Sequence, residues 1–164
     1  MDISSKTPKI IVFDLDRTLW PFQVDKDTTN PFRRTEKNTV EDASGKLVST
    51  FPQVFDILYD LISRGFVLGV ASRIEDIMGA YQLLELFNLN SFFTYKEIYP
   101  TSKILHFKEL HRKTGFPYET MVFFDDDERN IKAVQQLGVQ TFQVSKDGID
   151  KKFVLQSLNL DSSH

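Results

Sequence analysis

Short strand-forming runs alternate with stretches of helical periodicity along most of this chain, and that alternation sets the class of fold open to it. Residues 10–13, 66–71, 93–98, 121–124 and 139–144 are rich in β-branched and aromatic side chains and bounded by polar or turn residues. Runs this short and this bounded read as strands rather than helices. Between them Val54, Ile57, Leu58, Leu61 and Ile62 recur at helical spacing, and Gly65 stops that helix. Ile77, Tyr81 and Leu84 mark a second helix, and residues 102–113 a third. A fourth runs through Ile131, Val134 and Leu137 with Gly138 as its cap, and a last one lies within 147–158. Strands alternating with helices through right-handed crossovers predict an α/β, Rossmann-like three-layer sandwich around a central parallel sheet.

With 164 residues, 41% of them hydrophobic, the chain is long enough for one domain with a real core. The formal net charge of -3 gives no electrostatic reason to expect nucleic acid as a partner. There is no cysteine, which excludes a disulfide framework, a thiolate zinc site and a cysteine-nucleophile phosphatase mechanism. The first residues lack the apolar core of a signal peptide, and no run reaches membrane-spanning length. A soluble, cytoplasmic monomer is the expectation.

One stretch breaks the alternation. From about 23 to 49 the chain is polar and rich in turn chemistry, including Asn30-Pro31 and Ser44-Gly45. A structureless loop of this length is unusual inside a compact domain. Short β arms near 38–40 and 47–49, turning at Ser44-Gly45, would make it a small β-hairpin flap.

Two strands end in acids. Residues 10–13 lead into Asp14-Leu15-Asp16-Arg17-Thr18, and residues 121–124 into Asp125-Asp126-Asp127. In an open parallel sheet the strand C-termini open onto the ligand crevice, so acids distant in sequence can meet there. Carboxylates crowded in this way call for a cation or a shared proton. A divalent metal is the simplest resolution.

In chain order, Asp14/Asp16/Thr18, Ser72, Lys103 and the 125–127 acids with Asn130 resemble the haloacid dehalogenase (HAD) superfamily. Its first motif, Asp-x-Asp-x-Thr, matches 14–18; its Ser or Thr closing a strand matches Ser72 in Gly-Val-Ala-Ser-Arg. Its helix-start Lys matches Lys103, and its apolar strand ending in paired acids matches Phe-Phe-Asp-Asp. The closer likeness is to the magnesium-dependent phosphatase family. It rests on Thr-Leu-Trp-Pro-Phe at 18–22, Ser-Lys-Ile-Leu-His-Phe at 102–107 and Phe-Phe-Asp-Asp-x-x-Arg-Asn at 123–130, and covers about 9–158. Two features depart from it: Arg17, where close relatives usually carry a smaller or aromatic residue, and the third acid, Asp127.

The resemblance implies a HAD-like fold without a large cap domain and a Mg²⁺-dependent phosphomonoester hydrolase. Phosphorylated proteins (phosphotyrosine) and phosphorylated sugar-amine adducts are the substrate partners it implies. Asp14 takes the role of nucleophile forming an aspartyl-phosphate, and Asp16 that of general acid and then base. The implied Mg²⁺ ligands are the carboxylates of Asp14 and Asp126 and the backbone carbonyl of Asp16, an all-oxygen set that suits the ion. Ser72, Arg73 and Lys103 would bind the phosphoryl oxygens. Each residue also has a plainer reading. Ser72 could cap a helix, Lys103 could be solvated, and Thr18 reads as a turn cap. Asp127 reads as a helix-start acid; Asp125 stands evenly between that and a place behind the metal, and Asn130 between holding a metal-bound water and a surface position. His106 and His111 read as non-catalytic, Trp20 as core, and Phe32-Arg33-Arg34 as a solvated basic loop or a substrate contact.

Two other function classes share parts of this pattern. A phosphoacceptor module that binds without turnover also carries acids, a hydroxyl and a Lys on parallel strands, but needs no acid at Asp16. A phosphotransferase of the same superfamily would reuse all four motifs, usually with a larger cap. The hydrolase reading requires carboxylate oxygens of Asp14 and Asp126 close enough to share one ion.

Overall fold

The computed structural model describes residues 7–162. Five parallel strands form its central sheet: β1 (Ile10–Phe13), β5 (Leu68–Ser72), β6 (Tyr95–Ile98), β7 (Met121–Asp125) and β8 (Gln140–Gln143). They lie in the order β6-β5-β1-β7-β8, so the chain winds outward from β1 first to one side and then to the other. That reversal places a crevice beside the C-terminal end of β1.

Side chains on β1 alternate between two cores. Ile11 and Phe13 pack into one apolar cluster, Ile10 and Val12 into the other. In β7, Val122 and Phe124 join the first while Met121 and Phe123 join the second. A strand buried on both faces must be apolar throughout, which is why these two segments are uninterrupted in sequence. α2 (Val54–Ser63), α3 (Ile77–Leu86) and α6 (Lys151–Ser157) cover the first face, and α4 (Lys103–Thr114) and α5 (Glu128–Gln135) the second. Three layers result, as the alternation predicts. Phe13, Phe124 and Phe142 stand side by side across β1, β7 and β8, with neighbouring rings stacked at 5.4 Å. They form a rigid aromatic floor one residue below the acidic strand ends.

The segment between β1 and α2 departs from the sequence reading in three ways. Residues 24–27, read as loop, form one helical turn, α1 (Val24–Asp27). The expected hairpin is present as β3 (Val40–Glu41) against β4 (Leu47–Val48). Arg33 and Arg34, read as solvated loop, add a third antiparallel strand, β2 (Arg33–Arg34), with Arg33 paired to Glu41 and Arg34 bonded to the Leu86 carbonyl. Phe32 is buried at 2% exposure and joins Val40 and Val48 in the main apolar cluster, so it anchors the flap to the core and is not a substrate contact. Asp42 ties the hairpin turn, accepting from the Ser44 hydroxyl at 2.7 Å and from the backbone N–H groups of Thr29, Ser44 and Lys46. These bonds, that of Ser44 first, lower its carboxyl to about 2.

Two smaller corrections follow from packing. α5 ends at Gln135, three residues before Gly138. Ile77 and Tyr81 sit at the solvent margin of α3, whose buried face is Gly79, Ala80, Leu83 and Leu84.

Gly148 lies against the Phe51 ring with φ near 90°, and an added Cβ would come within 2.4 Å of that ring. Gly148→Ala combines a left-handed backbone with overpacking, an expected loss of about 2–4 kcal/mol. A denaturant midpoint unchanged from wild type would contradict this.

Candidate active site

Backbone register brings the acids together. Phe13 pairs with Phe124, and the Asp14 N–H extends the ladder by donating to the Phe124 carbonyl at 3.0 Å. Asp14 therefore leaves β1 alongside Asp125, the last residue of β7. Carboxylate oxygens of Asp14, Asp125 and Asp126 all lie within 4.8 Å of one another. Asp14 and Asp126 thus meet the requirement for sharing one ion.

Lys103, the first residue of α4, reaches directly into this cluster. Its ammonium donates to Asp14 Oδ1 at 3.0 Å and Asp125 Oδ2 at 2.8 Å, and sits 5.0 Å from the centre of the Phe123 ring. Ser102 caps the helix by accepting from the Leu105 N–H, which fixes where Lys103 begins. Its side chain is 1% exposed, so it is no solvated lysine. Burial disfavours its charge, but Asp14 and Asp125 outweigh that and move it up. Burial pushes Asp14 well above the usual carboxylate range, Asp125 and Asp126 add to the rise, and Lys103 opposes it. Asp126 is raised chiefly by burial as well. Three carboxylates facing one ammonium leave an excess of negative charge among hard oxygen donors, and that combination fits a divalent ion such as Mg²⁺.

Asp16 stands apart from this group. A tight turn from Asp16 to Trp20, closed by the Arg17 N–H on the Trp20 carbonyl at 2.7 Å, turns its carboxylate toward Trp20 and Val24. Its Oδ1 accepts from the Trp20 indole N–H at 2.9 Å and the Val24 N–H at 3.2 Å. Burial pushes its carboxyl up to about 6 against the pull of those two bonds. Thr18 does more than cap the turn: its hydroxyl donates to Asp14 Oδ2 at 3.0 Å.

Ser72 closes β5, is 1% exposed, and accepts from the Ile74 N–H at 3.3 Å. It caps no helix, because α3 begins later with Asp76 as its cap. Ser72, Arg73 and Lys103 line the same cleft as Asp14, Asp16 and Asp126, a space of about 350 Å³. Asn130 also lines it and donates to Asp125 Oδ2 at 3.1 Å. Asp127 caps α5 by accepting from the Arg129 N–H and pairs with the Arg129 side chain, whose hydrogen bonds lower its carboxyl. His106 is buried with Nε2 at 2.9 Å from the Tyr99 carbonyl, and His111 is exposed; neither lines the cleft.

Comparison with known proteins adds the family. A family model described as Acid Phosphatase matches residues 6–162. Human magnesium-dependent phosphatase 1 is 46% identical over 154 residues, covering 94% of this chain and 87% of its own length. The chain belongs to the magnesium-dependent phosphatase family of the HAD superfamily. Structural likeness extends the fold more widely. The N-terminal part of a Bacteroides fragilis protein containing a phosphatase domain, complexed with Mg, superposes with TM-score 0.72 at 21% identity. That match covers 96% of this chain and 42% of the other. A HAD-family enzyme from Bacteroides thetaiotaomicron, in complex with magnesium and inorganic phosphate, gives 0.65 at 16% identity, covering 90% and 98%.

Within the family's motifs, sequence reasoning passed over two contacts. Trp20 is core, stacked on Phe22 at 5.6 Å, yet its N–H also holds the Asp16 carboxylate. A lone Trp four residues after an acid was the available signal. Asp125, left open between two places, anchors Lys103, Asn130 and the Asp127 N–H at once.

Proposed function

We propose that this protein hydrolyses phosphomonoesters with Mg²⁺ through an aspartyl-phosphate on Asp14. The observation that supports this best is the separation of the Asp16 carboxyl from the Asp14–Asp125–Asp126 cluster: one group of carboxylates for a cation, and another carboxylic acid in the same cleft held by Trp20 and Val24. Asp14, Asp126 and the Asp16 backbone carbonyl would hold the ion, with Asp125 behind them. When bound, Mg²⁺ offsets charge on the phosphoryl oxygens and on the acids around it.

Asp14 attacks phosphorus, forming a P–O bond as the bond to the leaving oxygen breaks. Asp16 gives that oxygen a proton. It then takes one from the water that attacks the aspartyl-phosphate, releasing phosphate and freeing Asp14. A carboxyl near 6 is close to the optimum for giving and taking a proton around neutral pH. The Lys103 ammonium, the Ser72 hydroxyl and the Arg73 guanidinium bind the phosphoryl oxygens, where preset charge lowers the barrier most.

No cap domain covers the cleft among the described residues, and an open mouth suits a phosphate presented on something bulky. Protein phosphotyrosine and phosphorylated sugar-amine adducts are the proposed substrate classes, and the protein would meet them as a cytoplasmic monomer. Among the described residues no helix is long and apolar enough to cross a membrane. A chromogenic aryl phosphate with Mg²⁺, with and without chelator, tests the activity; phosphotyrosyl peptides and a phosphorylated sugar-amine adduct then rank the classes. Binding of phosphate without turnover would favour the phosphoacceptor alternative instead.

Trp20→Phe keeps the stacked ring and removes the donor to Asp16. Turnover of an alkyl phosphate, which needs its leaving oxygen protonated, is expected to fall about 10-fold, while 4-nitrophenyl phosphate loses about 3-fold or less. Equal losses on both esters would mean that the indole N–H does not orient the acid.

A further inference from the structure

Arg17 and Lys26 remain once every group used above has been given a task. Both line the cleft, both are exposed, and neither side chain has a hydrogen-bond or ion-pair partner among the described residues. The acids at the same mouth are engaged. Asp25 accepts from the Glu75 and Asp76 N–H groups at 2.9 Å each, Asp127 holds Arg129, and Asp16 holds Trp20 and Val24. These acids keep their charge but their oxygens already have donors, whereas the donor groups of Arg17 and Lys26 are unclaimed among the described residues.

Arg17 carries a second mark. Its φ is 62°, in the left-handed region that glycine adopts without penalty and other residues reach at a cost of about 1–2 kcal/mol. The turn that imposes this conformation is the one that directs Asp16 to Trp20, and the side chain at its tip lines the cleft. A long cationic side chain kept at a position that favours glycine points to a contact outside the chain. Lys26 belongs to α1, so its charge comes from the flap.

Resting on the phosphatase reading, we propose that Arg17 and Lys26 form a second anion subsite, which selects phosphomonoesters whose leaving group itself carries an anionic group. The phosphoryl end goes to Ser72, Arg73 and Lys103, and the second anion to the two rim cations. A guanidinium fork favours a carboxylate or a phosphate over a single-point acceptor.

Three aryl phosphates of one shape test this: 4-carboxyphenyl, 4-phosphonophenyl and, as the reference without a second anion, 4-carbamoylphenyl phosphate, each with Mg²⁺. Wild type should show kcat/KM about 10-fold higher for at least one of the two anionic esters than for the carbamoyl ester, and which one leads separates carboxylate from phosphate. The ratio should fall to about 2-fold or less in the Arg17→Gln/Lys26→Gln double variant, and should shrink with added salt. Equal kcat/KM on all three esters in wild type, or a preference that survives in the double variant, overturns the subsite. Turnover of none of them overturns the phosphatase reading instead. The subsite is then read by titrating in the non-hydrolysable difluoromethylphosphonate analogues, whose equal affinities would also remove it.

Discussion

Asp14→Asn is expected to lower turnover of an aryl phosphate by at least about 10⁴-fold with Mg²⁺ present, the scale seen when a covalent nucleophile is lost. An amide matches the carboxylate in shape but cannot form the acyl-phosphate. Structural collapse is not the expected route to that loss. Asp14 is buried beside Asp125 and Asp126, and the two negative neighbours together with burial already disfavour its charge. Replacing it by a neutral amide removes that repulsion, and Lys103 keeps Asp125 as a partner at 2.8 Å. The metal-free variant should therefore melt no lower than wild type. Two measurements separate the outcomes: steady-state turnover, and acid-quenched mass spectrometry for a phosphoryl group on the enzyme, present in wild type and absent in the variant. Undiminished turnover with Mg²⁺ would defeat the nucleophile assignment. A lower melting temperature together with lost activity would show that the residue matters for folding first.

What the sequence carried follows from how locally each feature is determined. β1 and β7 were legible because both their faces are buried, which forces an unbroken apolar run whatever surrounds it. Asp14 and Ser72 were legible for the same reason, being the polar residues at which such runs stop, and Lys103 and Asp126 through the motifs around them. The flap was legible only as a hairpin turning at Ser44-Gly45; its third strand was not, because that edge strand is two residues long and is a pair of exposed arginines. Nothing in Arg33-Arg34 states a preference for β structure; the pairing with β3 and the Leu86 carbonyl supplies it. Phe32 was misplaced on the same account, since its burial depends on Val40 and Val48 arriving from eight and sixteen residues away. Trp20 shows a different limit. An apolar ring at that position satisfies the core reading completely, and only the turn geometry at Arg17 shows that its N–H faces Asp16. Asp125 was open because alternation along β7 does not say whether the last residue turns toward the cleft or caps the next helix.

Lys103→Met separates what the cation does for stability from what it does for chemistry. The substitution keeps length and apolar bulk against Phe123 and removes the one ammonium that Asp14 and Asp125 share. Breaking a buried ion pair from one side leaves carboxylates without a partner, a loss of about 3–5 kcal/mol at neutral pH. Methionine in place of lysine also recovers a desolvation penalty, so a value toward the lower end is expected. The sign of the pH dependence follows from the charges. Burial already raises Asp14 and Lys103 opposes that rise, so with the ammonium gone Asp14 holds its proton to still higher pH in the folded state than in the unfolded chain, and the folded state binds more protons. Stability relative to wild type then falls as pH rises, and the deficit should be smaller at pH 5.5 than at pH 8. Added Mg²⁺ places positive charge beside the same carboxylates and should raise the melting temperature of the variant more than that of wild type. Turnover should still be lost by about 10²–10³-fold with the ion restored, because a fixed cation at the phosphoryl oxygens acts on the transition state and not only on the resting charge balance. A deficit that does not change between pH 5.5 and 8, or full activity once Mg²⁺ is added, would show that Lys103 balances charge at rest and plays no part at the phosphoryl group.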